Sequence, residues 1–227
     1  MPDVSMKYQK EKIVDFDKWL RHFGLEVIEG GHLTVGLSSY KTFFQLIATA
    51  ETEMLIGAMR REVIMQTRIG VSVEAFWTAL SKNLRFIVPH FLPNLVKDVE
   101  VAEGDEGLGT VLQFNYFPET LKNVHEIRAK LVQFASTVTY QKEKIAELDT
   151  FMHRIGLKIR RGSLESRLLS YEPNYQLTGR EDQQGTLVNI KVVYEIEREE
   201  TCMPEDVSKS ILANMKSFET YLEKNCI

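Results

Sequence analysis

A ten-residue stretch, Tyr8 to Asp17, returns at Tyr140 to Asp149 with seven identities, and Tyr-Gln-Lys-Glu-Lys-Ile is common to both. The echo continues downstream. Gly24-Leu25 is repeated as Gly156-Leu157, Ser39-Tyr40 as Ser170-Tyr171 and Gln45-Leu46 as Gln176-Leu177, with the offset passing from 132 to 131 residues, as one deletion near Gly31 to Leu33 would produce. Segments this alike should share a conformation, so any fold that residues from 140 onward adopt must also suit residues 8 to about 50. Only about 57 residues precede the start of the longer copy. The chain therefore reads as a truncated back half over 1–57 followed by a complete domain over 58–227, and function is sought in the second.

Composition narrows the classes. A domain of roughly 170 residues buries well over half of its unfolded surface and needs no staples. Apolar residues make up 44% and charged residues 26%, ordinary values for a globular protein. A net charge of −4 and a pI of 5.8, with no basic stripe, argue against nucleic acid as a partner. The two cysteines, Cys202 and Cys226, stand in different local contexts, and neither a signal peptide nor an 18-residue apolar span is visible. An intracellular, cytoplasmic setting without a membrane partner is the expectation.

Along the complete copy, Glu62 to Ile69 reads as a strand ending at Gly70. Ser72 can cap a helix in which Val73, Phe76, Trp77 and Leu80 share a face. Pro89 and Pro93 bracket a short helical piece around Phe86 to Leu92. Val96 to Val101 and Thr110 to Phe117 form a hairpin about Gly104-Asp105-Glu106-Gly107-Leu108-Gly109, with Leu112, Phe114 and Tyr116 on one face. Leu121, Val124, Ile127, Leu131 and Phe134 recur at helical intervals, which predicts a helix within 119–139. Strands are expected over Tyr140 to Leu148, Gly156 to Arg161, Arg167 to Thr178 and Thr186 to Glu197. A last helix begins with Pro204 in its first turn, and Val207, Ile211, Met215, Phe218 and Leu222 form its apolar stripe. The fold class is α+β, a curved antiparallel sheet wrapped around a long C-terminal helix.

At Val71 to Trp77, at the Gly104 to Gly109 loop, at the Tyr-Gln-Lys-Glu-Lys strand and at Ile28-Glu29-Gly30-Gly31, the sequence resembles the plant Bet v I superfamily. Its members include pathogenesis-related class-ten proteins, major latex proteins and norcoclaurine synthases, which share the START-like helix-grip fold. The likeness covers residues 60 to 227 and, for the back half of the fold, residues 6 to about 50. Two departures stand out. The family loop reads Gly-Asp-Gly-Gly-x-Gly, whereas Glu106 replaces the middle glycine, and the stretch 119–139 is longer than the family's strand connection. The loop itself reads as a structural turn, because a phosphate loop needs Gly-Lys and then Ser or Thr opening a helix, and here Thr110 opens a strand.

The resemblance implies a defence-related plant protein that binds a small hydrophobic or aromatic metabolite or hormone between the sheet and the last helix. On that basis Phe91, Leu112, Phe114, Tyr116, Ile190, Tyr194, Ile211 and Met215 are the candidate ligand-binding residues. The same residues would form the core of any packed domain. An alternative is a synthase that condenses an arylethylamine with an aldehyde. Its strand glutamate matches Glu143, repeated as Glu11. The synthases' tyrosine falls on Gln141, with Tyr140 one residue out of register, their lysine on Ile155 or Phe23, and their aspartate on Pro173 or Thr42. One position in four survives, so binding ranks above catalysis, because loss of the cationic group forfeits acid–base help worth about 10²–10⁴-fold. Lys158 is the one nearby amine that could stand in. Glu143 has a plain second reading as a solvated residue between Lys142 and Lys144.

A receptor that inhibits a phosphatase, in the manner of abscisic-acid receptors, ranks last. Its Ser-Gly-Leu-Pro-Ala gate is absent, and Met152-His153-Arg154-Ile155 only loosely resembles its His-Arg-Leu latch. His90, His125 and His153 lack metal-ligand spacing, so neither metal nor cofactor is expected. For the fragment three readings stand open: added strands at a sheet edge, exchange with another molecule in a homodimer, or the remnant of a tandem unit.

Overall fold

The computed structural model describes residues 9–17, 22–30, 33, 37–48, 54–117, 139–159, 168–179, 185–196 and 204–225. Its strands are β1 (Gln9–Asp17), β2 (His22–Gly30), β3 (Ser39–Ala48), β4 (Met54–Ile69), β5 (Val96–Glu103), β6 (Val111–Tyr116), β7 (Tyr140–Asp149), β8 (Arg154–Ile159), β9 (Leu168–Gly179) and β10 (Thr186–Ile196). Helices α1 (Val73–Ser81) and α2 (Leu84–Phe91) join β4 to β5, and α3 (Pro204–Asn225) closes the described chain. All ten strands form one antiparallel sheet in the order β1-β2-β3-β4-β10-β9-β8-β7-β6-β5. The expected helix within 119–139 lies, except for Thr139, outside the described residues, as do His125, Cys202 and Cys226. Among the described residues no helix is long and apolar enough to cross a membrane.

Local chemistry accounts for the helices. Ser72 Oγ accepts the Ala75 N–H at 3.3 Å and so caps α1, which buries Phe76, Trp77, Ala79 and Leu80. Helix α2 begins at Leu84, two residues before the expected start, and holds Pro89 inside its eight residues. On α3 the stripe Val207, Ile211, Met215, Phe218 and Leu222 is buried throughout, each large side chain contributing roughly 1.5–3 kcal/mol. The stripe approaches β4 and shares one core cluster with Val63, Met65 and Ile69 of that strand and with Val188, Ile190, Val192, Tyr194 and Ile196, which alternate inward along β10.

Strand β4 departs from the expectation. It starts at Met54, eight residues before Glu62, because β3 pairs with it from Ala48↔Met54 onward while β10 covers its other edge from Ile196↔Met59 to Thr186↔Ile69. Residues 57 and 58 therefore lie inside a strand. Val27, Leu37 and Tyr40 of the N-terminal strands enter the same core cluster as Ile190 and Phe218.

The pairing registers repeat along with the sequence. Glu11↔Val27 and Asp15↔Gly24 in β1·β2 correspond to Glu143↔Ile159 and Glu147↔Gly156 in β7·β8, and both pairs carry an irregularity at the same place. Likewise Gly24↔Phe43 corresponds to Gly156↔Asn174, and Tyr40↔Val63 to Tyr171↔Tyr194. On the outer face a row of alternating charge crosses five strands. Lys12 meets Glu26 at 2.8 Å, Lys41 lies 3.9 Å from Glu26 and 3.8 Å from Glu62, and Lys191 meets Glu62 at 2.8 Å.

Two ties hold helices to the sheet. Gly70 N–H donates to Glu219 Oε1 at 2.6 Å, and Lys216 Nζ donates to Glu219 Oε2 at 2.5 Å. Burial alone would raise the Glu219 carboxyl, but the hydrogen bonds from Lys216 and Gly70 outweigh it and hold the group below the usual carboxylate range. At the β7–β8 turn, His153 Nε2 lies 3.3 Å from Glu74 Oε1 of α1, and its ring meets Trp77 edge-on at 5.3 Å.

Candidate functional site

A cavity of about 160 Å³ lies between α2, α3 and the strands from β5 to β9. Helix α2 and the turn after it contribute Leu84, Val88, Phe91 and Leu92, and α3 contributes Asn214, Met215 and Phe218. The sheet supplies Phe114, Tyr116, Glu143, Leu157 and Tyr175. Phe218 organises one wall, stacking on Phe91 at 4.8 Å and 18° and meeting Phe76 at 4.8 Å. Such an arrangement follows from α2 being short and apolar on one side: Ile87 and Val88 anchor it in the core while Leu84 and Phe91 reach over the cavity.

Glu143 is the one carboxyl in this lining, which holds neither lysine nor arginine. Gln141 Nε2 donates to Glu143 Oε1 at 2.5 Å. Burial among apolar side chains pushes the Glu143 carboxyl up to about 7, and the Gln141 hydrogen bond only partly opposes that rise. The residue as a whole keeps some exposure, while its carboxyl is desolvated. Chemically the site offers one ring-sized apolar space and one acid that exchanges its proton near neutrality.

The candidate residues divide. Phe91, Phe114, Tyr116, Met215 and Glu143 meet around the cavity. Ile190 and Tyr194 are fully buried, and Ile211 and Leu112 nearly so, and all four pack in the core rather than in the cavity lining. Leu84, Val88, Leu92, Tyr175, Asn214 and Phe218 were missed. The signal for Asn214 was available, since it is an amide on the flank of an apolar helical stripe. The Glu143 carboxyl is desolvated rather than bathed in water, because it lines the cavity shared with α2 and α3. Lys158 cannot stand in for a catalytic amine, because it points to the outer face and pairs with Glu172 at 2.5 Å. Ile155, at the position of the synthases' lysine, is 1% exposed in the core. His90 stacks on Tyr221 at 5.9 Å outside the cavity, and Tyr140 is exposed.

Larger hollows exist elsewhere. One of about 370 Å³ lies on the outer sheet face beside Asn174, Gln176 and the Arg154–Glu147 ion pair, which measures 3.2 Å. A groove of about 600 Å³ runs outside α2 and α3 past His90, Lys216 and Tyr221. Charged, amide and hydroxyl residues make up most of the lining of both, whereas the smaller space is lined mainly by aliphatic and aromatic residues with one convergent acid, the usual character of a ligand site.

A family model described as the pathogenesis-related protein Bet v 1 family matches residues 58–225. Among solved structures the chain is similar to Ara h 8.0201, with 17% identity, a TM-score of 0.56 and 73% of this chain and 99% of that one covered. It is similar to the major latex-like protein 151 of Panax ginseng at 19% identity and TM-score 0.56, covering 71% and 97%. It is also similar to norcoclaurine synthase from Thalictrum flavum in complex with dopamine and hydroxybenzaldehyde, at 17% identity and TM-score 0.53, covering 74% and 90%.

Proposed function

We propose, from the premise that this chain belongs to the pathogenesis-related protein Bet v 1 family, that it binds a small hydrophobic or aromatic metabolite or hormone in the cavity between the sheet and α3. The observation that carries this reading is the internal space itself, about 160 Å³ walled by Val88, Phe91, Phe114, Met215 and Phe218 with Glu143 at its edge. An apolar cavity of about 150 Å³ accepts benzene, so the space as it stands suits one aromatic ring. Glu143 then favours a ligand whose ring carries a hydrogen-bond donor. A defence role in the cytoplasm of a plant cell belongs to the same proposal and is supported by the family alone.

A second reading, condensing-enzyme chemistry, has one observation in its favour: the Glu143 carboxyl, raised to about 7, is matched to proton transfer near neutral pH. The norcoclaurine synthase structure is described with dopamine and hydroxybenzaldehyde bound. Against it, the cavity lining offers no cation to polarise a carbonyl. Binding therefore ranks first. We also infer that residues 1–57 correspond to the back half of a second unit of this fold, a reading supported by the recurring registers of β1·β2 and β7·β8.

Native purification of the full chain, followed by mass spectrometry of the small molecules released on denaturation, tests the binding reading. The expected result is a retained aromatic compound that is lost in Val88→Phe, which fills the space. No retained compound, together with no melting shift across a panel of one-ring aromatics, would overturn it. Product formed from a dopamine-like amine and an aldehyde would favour the second reading.

A further inference from the structure

Strand β1 is one edge of the sheet, and among the described residues no strand pairs with its outer side. Edges that expose apolar side chains are templates for another strand. Ile13 is 69% exposed and Phe16 71% exposed, with Val14 and Ile28 exposed beside them, so the apolar patch is confined to β1 and β2.

The sequence of β1 decides which strand suits it. Lys10, Lys12, Asp15 and Asp17 lie opposite Glu29, Glu26, Gly24 and His22, whereas Glu11, Ile13 and Phe16 lie opposite Val27, Leu25 and Phe23. The irregularity between Ile13 and Asp15 absorbs Val14 and thereby moves Asp15 and Asp17 onto the same outer face as the two lysines. That face is positive in its first half and negative in its second. Two copies laid antiparallel, with Ile13 facing Val14 of the other copy, set Lys12 against Asp15 and Lys10 against Asp17, each pair twice. On the inner face Phe16 then lies opposite Glu11 of the other copy and diagonal to its Ile13, within reach of side-chain contact. A parallel arrangement would oppose like charges. Charge of one sign along an edge blocks self-pairing, whereas the segregated charge of β1 sets opposite signs against each other in the antiparallel register. Lys10 and Lys12 already meet Glu29 and Glu26, and an ammonium group has three donors, enough for a second carboxylate.

We propose that this chain forms a two-fold dimer by antiparallel pairing of β1 with β1 of a second copy, joining the two sheets edge to edge. The pairing buries a small area, so the dimer is weak and salt-sensitive.

Sedimentation of the full chain from about 1 to 300 µM, a range that brackets a micromolar dissociation constant, provides the test. The expected result is a monomer–dimer equilibrium that weakens with salt, shifts at least tenfold toward monomer in Lys12→Asp, and returns in Lys12→Asp/Asp15→Lys. The double variant lacks the Lys12–Glu26 pair, so its recovery comes from the contact between copies. Circular dichroism melting confirms that the variants fold, and hydrogen exchange of the β1 amides in the native chain decides the matter if they do not, with protection expected to grow with concentration. A monomer at every concentration, a dimer indifferent to Lys12→Asp, a double variant as monomeric as the single one, or β1 amides protected equally at all concentrations would each overturn the proposal.

Discussion

Ionising Glu143 costs the folded chain free energy, since its carboxyl is raised to about 7 by burial whereas an unfolded glutamate titrates near 4.5. The stabilising contribution is fully present below about pH 4.5 and is lost as pH rises through 7, by roughly 1–3 kcal/mol. Glu143→Gln should therefore melt higher than the native chain at pH 8 and no higher at pH 4.5, and thermal denaturation across that range checks it. Glu219 works in the opposite direction: its lowered carboxyl stabilises at neutral pH and loses that contribution in acid. The same Gln-x-Glu run occurs in both copies, and Gln9 Nε2 donates to Glu11 Oε1 at 2.6 Å as Gln141 does to Glu143. Yet Glu11 is exposed. The residues were legible in the sequence, but the difference between them was not, because it depends on β6, α2 and α3 covering one copy only.

At the scale of elements, the hairpin loop shows how a departure from the family pattern is accommodated. Glu106 stands at φ 74° where a glycine would be unstrained, and Arg85 Nη2 of α2 meets its carboxylate at 2.5 Å. Left-handed backbone costs about 1–2 kcal/mol and a partly exposed ion pair returns about 0–1 kcal/mol, so Glu106→Gly should raise stability slightly or leave it unchanged. Gly185 offers no such latitude: it sits at φ 101°, and an added Cβ would lie 2.6 Å from the carbonyl oxygen of Ile69. Gly185→Ala should destabilise by about 2 kcal/mol or more, while Gly179→Ala, with nothing within 4 Å, should not. Urea denaturation of the three variants checks both statements. Periodicity gave α1, α3 and the strands β7, β9 and β10 to within a few residues. It placed the start of β4 too late, because residues 54–61 are held as a strand by pairing with β3, joined from Met59 onward by β10, rather than by their own alternation.

Across the whole molecule, the N-terminal strands are more than an appendage. Val27, Leu37 and Tyr40 belong to the main core cluster, and the Lys12–Glu26–Lys41–Glu62 row ties β1 to β4 on the outer face. Removing residues 1–53 should leave 54–227 folded around Phe76, Ile190, Tyr194 and Phe218, but with a lower melting temperature, because three buried apolar side chains worth roughly 1.5–3 kcal/mol each lose their place. A single cooperative transition by calorimetry at reduced temperature is the expected result. The sequence echo left added edge strands as one of three readings of the N-terminal segment, whereas the size of the internal space was not legible at all, since it depends on how α2 and Phe218 settle over the sheet. Titration calorimetry with benzylamine and toluene, in native chain, Glu143→Gln and Val88→Phe, tests the binding cavity most directly. The account predicts saturable binding of both compounds to the native chain, an advantage for the amine above pH 7 that Glu143→Gln removes, and loss of both in Val88→Phe. Binding that survives Val88→Phe unchanged, or no binding of either compound at any pH, would contradict it.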